Sequence, residues 1–142
     1  MIIKTLRVIL VYLLAFLFTA VGVLHFTHPD GFVDIVPAML PWPLALVYIS
    51  GLFEILGGVG LALPWSRRWA SYVLLALLIA VYPANINMWW NDVPMNGATF
   101  SGLEHGIRLP FQFVLMAWTY WAGRCIGIGA NAAPRKTAEP SE

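Results

Sequence analysis

Few residues in this chain could do chemistry, and they sit among apolar neighbours. Glu54, in GLFEILGG, is the one carboxylate of the apolar run 44–63. His25 comes at the end of an earlier apolar run. Asn85 lies in YPANIN, and His105, Arg108 and Gln112 fall in EHGIRLPFQ. A carboxylate can hold or pass a proton, and imidazole can do so near neutral pH. Amide and guanidinium groups donate hydrogen bonds to oxygen. An ionisable group inside hydrocarbon costs ~2.5 kcal/mol or more, which makes function the default reading. The structural alternative is a protonated Glu54, or one bonded to Asn85 or a serine, that locks helices together. Both readings stay open at this level.

Helical spacing indicates which of these residues share a face. Ser50, Glu54, Gly58 and Ala62 are each four apart, so Glu54 lies on a stripe of small residues suited to close helix contact. Ala76, Ala80 and Ala84 form a matching stripe further on, and the two small faces are expected to meet. Pro83 lacks an N–H, which leaves the carbonyl of Ile79 without its helical donor. Glu104, Arg108 and Gln112 form one polar edge, joined by His105, if the last helix begins early enough. Pro110 argues for a later start. The candidate polar pocket is therefore His25, Glu54, Asn85, His105, Arg108 and Gln112.

The positioning elements follow from composition. Of 142 residues, 60% are hydrophobic and 11% charged, with a mean hydropathy of +0.76. A soluble domain carries about 25% charged residues, so the natural solvent is a bilayer. Four stretches, 5–24, 44–63, 69–89 and 109–128, approach the ~20 apolar residues that a spanning helix needs. None alternates with period two, so the fold class is all-α, an integral membrane four-helix bundle. The first stretch is read as a retained helix rather than a cleaved signal.

Lys4, Arg7, Arg67, Arg68, Arg124, Arg135 and Lys136 fall at one end of these stretches. Asp30, Asp34, Asp92 and Glu104 fall at the other, with Arg108 the one Lys or Arg there. The positive-inside rule then puts both termini in the cytoplasm. The connection HPDGFVDIVPAMLPWP is too apolar for an open loop, and a short embedded or interfacial helix is expected there, set off by Gly31 and Pro37. Residues 1–128 read as the transmembrane domain and 129–142 as a disordered cytoplasmic tail.

Other chemistries find little support. A net charge of +1 gives no reason to expect nucleic acid as a partner. The single Cys125 excludes an internal disulfide. His25 and His28 are three apart, but Pro29 biases His28 away from helical angles, and no HExxH or cysteine-based pattern occurs, so no metal site is expected. There is no phosphate loop and no nucleophile elbow.

Four stretches, GVLHFTHPDGFVDIVPAMLP, YISGLFEILGGVGLALP, VYPANINMW and EHGIRLPFQFVLMAW, together resemble the DoxX-like family of small bacterial membrane proteins. The resemblance implies four helices in the bacterial inner membrane. It also implies a shared pattern made by His25, Glu54, Pro83–Ala84–Asn85, His105, Arg108 and Gln112. Its founding relatives are associated with thiosulfate-to-quinone electron transfer, and some others with redox or thiol stress. The cysteine pairs of a disulfide-handling relative are missing here.

Three functions are consistent with these readings. One is a non-enzymatic membrane protein that binds a partner or a small lipophilic ligand. A second is a membrane subunit of a quinone-linked oxidoreductase, with a redox protein partner supplying electrons. A third is a small-solute transporter acting as an oligomer. Only the second calls for a cofactor, the quinone. Membrane lipid is a partner in all three.

Overall fold

The computed structural model describes residues 2–94 and 102–125, with backbone alone at 102–105. Among these residues the chain is all helical: α1 (Ile2–Thr27), α2 (Asp30–Asp34), α3 (Pro43–Ala62), α4 (Arg67–Trp90) and α5 (Gly102–Arg124). Three of them, α1, α3 and α4, are long and apolar enough to cross a membrane. The expected tail at 129–142 lies outside the described residues.

Each boundary has a local cause. α1 runs without proline until Pro29, and Pro29 itself precedes the first turn of α2. α3 opens on Pro43, which tolerates the first helical position because its missing N–H has no partner there. Trp42 before it takes a left-handed conformation (φ 53°) that turns the chain into α3. At the far end of α3 the last carbonyls are all satisfied from the following turn. Ser66 Oγ donates to Gly60 O, Arg67 to Leu61 O and Ala62 O, and the Arg67 backbone N–H to Leu63 O. These are groups that a helix end otherwise leaves unbonded.

α1 packs mainly on α3, α3 on α4, and α4 on α5, while α5 and α1 barely touch. The buried side of α1 is Val11, Leu14, Ala15, Phe18, Gly22 and His25, one stripe at helical spacing. Glycines bring α1 and α3 close. A Cβ on Gly58 would lie 2.7 Å from Ala15 O, and one on Gly22 would lie 2.7 Å from Gly51 O. The apolar core, Val11, Leu14, Ala15, Phe18, Leu61, Ala70, Leu74, Leu78, Ala122 and Cys125, lies where α1 begins, α3 ends, α4 begins and α5 ends.

Three expectations need correction. The stripe with Glu54 faces α1 through Gly51 and Gly58, and α3 meets α4 instead through Gly57 on Leu74 and Gly60 on Ala70. Ala76 and Ala80 are exposed. α1 offers Gly22 and Thr19 to receive the small face, which fits more closely than the alanines of α4. α5 begins at Gly102, before Pro110, and closes at Arg124 rather than at 128. A proline costs the helix one hydrogen bond and a clash with the carbonyl four residues back. That carbonyl belongs to Gly106, and the helix runs through the proline without ending there. Gly31 is buried inside α2 rather than breaking it from its neighbour.

Candidate functional site

His25 and Glu54 meet across the α1–α3 contact. Nδ1 of His25 lies 2.9 Å from Val21 O and 3.2 Å from Glu54 Oε2, with the side chains only 9% and 12% exposed. Two oxygens thus compete for one ring nitrogen. With Nδ1–H donating to Val21 O, Glu54 Oε2 is buried with no hydrogen-bond partner among the described residues. Gly51 makes this meeting geometrically feasible, because a Cβ there would lie 2.5 Å from His25 Cβ. The other face of the imidazole is covered by Phe32 of α2, stacked at 3.8 Å between ring centroids. The short helix is therefore a roof on the histidine.

Asn85 and Gln112 form a second node between α4 and α5. Asn85 Nδ2 donates to Gln112 Oε1, and Gln112 Nε2 donates to Leu78 O at 2.7 Å. Gln112 is buried, so these bonds satisfy an amide that would otherwise be expensive to desolvate. The donor supplied near the Pro83 break goes to Leu78 O, one residue before the carbonyl expected to need it. Glu54 pairs with His25 and shows no hydrogen bond to Asn85.

The remaining sequence candidates are spread more widely. Arg108 Nη1 donates to Met88 Sδ at 3.3 Å. His105 lies on α5, and its side chain is outside the described residues. Asn87 Nδ2 donates to Ile35 O at 3.1 Å, which ties α4 to the segment just after α2. His28 is exposed and bonded to Thr27 Oγ1, away from His25's partners. No group of three or more His, Cys, Asp or Glu among the described residues is placed to hold a metal ion. The structure thus brings the six candidates into two nodes plus Arg108, with His105 unplaced.

Two contributors were not singled out from sequence. Phe32 was one apolar residue among several in its segment, and only the fold shows it against His25. Arg67 read only as half of a cytoplasmic charge pair, and it is fully buried. Its Nη1 also reaches Cys125 O at 3.0 Å, so it ties the ends of α3 and α5 together. Arg67 belongs to the scaffold rather than the site, at the opposite end of the helices.

The sequence model of a family described as "Domain of unknown function (DUF8561)" matches residues 14–123. No curated protein and no solved structure matches the chain.

Proposed function

The chain belongs to the DUF8561 family, and from that premise we propose a non-enzymatic, multi-pass membrane protein that binds a small lipophilic ligand at its His25–Glu54 node. In this reading α5 is the fourth span. Its 23 residues rise about 35 Å, and Phe111, Phe113 and Val114 are all more than half exposed, as lipid-facing residues would be. Trp42, Trp65, Trp69 and Trp90, each more than 70% exposed, stand near helix ends at the levels of the two headgroup regions. The basic ends face the cytoplasm of a bacterial inner membrane, with both termini inside. The resemblance to DoxX-like proteins supports the same topology.

The observation that carries ligand binding is the buried Glu54 Oε2, which lacks a hydrogen bond because its neighbour at 3.2 Å, His25 Nδ1, is engaged by Val21 O. Native proteins rarely leave such an atom unmatched, and a hydroxyl or N–H on an otherwise apolar molecule is the chemistry that would match it. α2 and its Phe32 cover the node, so the ligand would enter by displacing that aromatic roof. The redox alternative relied on several donors for quinone carbonyls. Asn85 and Arg108 are instead turned to Gln112 and Met88, which leaves His25 as the donor and weakens that reading.

The test is mass spectrometry of small molecules that copurify with the full chain in mild detergent, for wild type and Glu54→Gln. The substitution keeps size and removes the acidic oxygen. A stoichiometric apolar molecule bearing a donor, lost from a normally accumulating Glu54→Gln protein, is the expected result. Equal recovery from both proteins would remove Glu54 from the site. Topology is tested in intact cells: a reporter fused after residue 142 should read cytoplasmic, and an external signal would overturn the four-span reading.

A further inference from the structure

Where α1 and α5 barely touch, a shallow, largely open apolar groove of about 320 Å³ is lined by Leu10, Trp118 and Trp121. Its surroundings are cationic. Arg7 is one turn before Leu10 on α1, with Lys4 a turn earlier, and Arg124 is one turn beyond Trp121 on α5. All three are exposed. The described acidic residues lie elsewhere: Asp30 and Asp34 on α2, Glu54 within α3, Asp92 past the end of α4 and Glu104 at the start of α5. Trp118, which walls the groove, keeps its Nε1–H buried with no acceptor among the described residues.

We propose that this seam is a binding site for one anionic phospholipid, with an acyl chain in the groove and the phosphate held by Arg7 and Arg124. An apolar slot with Arg7 one turn beyond it on α1 and Arg124 one turn beyond it on α5 suits this class of molecule. Basic pockets between helices on the cytoplasmic side hold acidic headgroups in the same way. An ester carbonyl brought into the groove supplies the kind of acceptor that the Trp118 indole lacks. Arg124 Nη1 is engaged by Tyr120 OH, which orients the guanidinium and leaves further N–H donors for phosphate. The site rests on the membrane placement proposed above but not on the His25–Glu54 ligand, which lies toward the other end of the helices.

The experiment is native mass spectrometry of the full chain in non-ionic detergent, titrated with dioleoyl phosphatidylglycerol or dioleoyl phosphatidylcholine. One phosphatidylglycerol should be retained at least about fivefold more tightly than phosphatidylcholine, the scale expected per basic residue near a headgroup. Arg7→Gln should cut phosphatidylglycerol retention about fivefold and leave phosphatidylcholine unchanged. Equal retention of the two lipids, or no effect of Arg7→Gln, would overturn the site. Leu10→Phe fills the groove and should weaken both lipids; unchanged retention would reduce the site to headgroup attraction and refute the groove. If Leu10→Phe does not accumulate, quenching by brominated-chain phosphatidylglycerol decides. It should fall when Trp118 and Trp121 are both replaced by Phe, and undiminished quenching counts against the groove. Loss of the Glu54-dependent ligand with phosphatidylglycerol retained would separate the failure of the functional reading from this one.

Discussion

Replacing Arg67 with Met removes a side chain that joins the ends of α3 and α5. Its guanidinium donates to Leu61 O at 2.7 Å, Cys125 O at 3.0 Å and Ala62 O at 3.2 Å, and the residue is 0% exposed. Solvent does not screen these bonds, so no discount for exposure applies. A hydrogen bond involving a charged group contributes about 1.5–3 kcal/mol, and a buried acceptor stripped of its donor costs about 1–3 kcal/mol. The three bonds share one cation and do not add fully, and the Met side chain recovers some apolar packing. A loss of about 4 kcal/mol is the working figure. At about 2–4 °C per kcal/mol, the midpoint should fall by roughly 8–16 °C. Thermal unfolding followed by tryptophan fluorescence in detergent reads this directly. Arg68→Met is the control, because Arg68 is exposed on the same turn and should change stability by less than about 0.5 kcal/mol. Arg67→Lys should recover only part of the loss, because an ammonium cannot fork across two helix ends as a guanidinium does. Equal midpoints for the Arg67→Met and Arg68→Met proteins would refute the tie and restore Arg67 to the role of a topology charge.

Gly58→Ala should destabilise by about 1–3 kcal/mol, since its Cβ would sit 2.7 Å from the Ala15 carbonyl. Gly106→Ala, with nothing within 4 Å, should instead stabilise α5 by about 0.5–1 kcal/mol. The same thermal assay measures both, and like signs would contradict the helix contacts described. Gln112→Leu should cost about 1–3 kcal/mol, because it takes the acceptor from Asn85 and the extra donor from Leu78 O. Restoring wild-type stability by adding Asn85→Leu would confirm that the two amides act as a unit. Burial pushes the Cys125 thiol up, with Arg7 and Arg67 pulling the other way. A raised pKa leaves less thiolate at a given pH, so maleimide labelling should be slow near pH 8 and accelerate only at higher pH. Labelling as fast as that of a free thiol would show Cys125 to be open.

The long helices were legible because apolar length is a strong signal, and α1, α3 and α4 fall within a few residues of the stretches read from sequence. The neighbour of each face was not. The spacing that put Glu54 on a small stripe was correct, but the stripe could have met either α1 or α4, and only the detailed fit of Gly22 and Thr19 decides between them. Pro110 misled because an internal proline costs one clash and one lost bond, and α5 runs through it from Gly102 all the same. Arg67 and Arg68 are identical in sequence terms. Which one points inward depends on the rotation of α4 relative to the end of α3, and charge counting carries no information on that. For the site, His25 and Glu54 were each singled out from sequence but not as partners. Asn85 and Gln112 were placed in the same region before their bond was seen.

The tie between Arg67 and Cys125 also bears on how the molecule is made. A ribosome delivers α1, α2 and α3 first, so the glycine-lined contact between α1 and α3 has both halves available early. When Arg67 emerges, two of its acceptors, Leu61 O and Ala62 O, are already behind it in the chain. The third, Cys125 O, is nearly sixty residues away. Until α5 has been synthesised and inserted, this guanidinium is incompletely matched at the end of the growing bundle. Completion of the last helix is thus what brings the Cys125 carbonyl to Arg67 and closes the scaffold at this end.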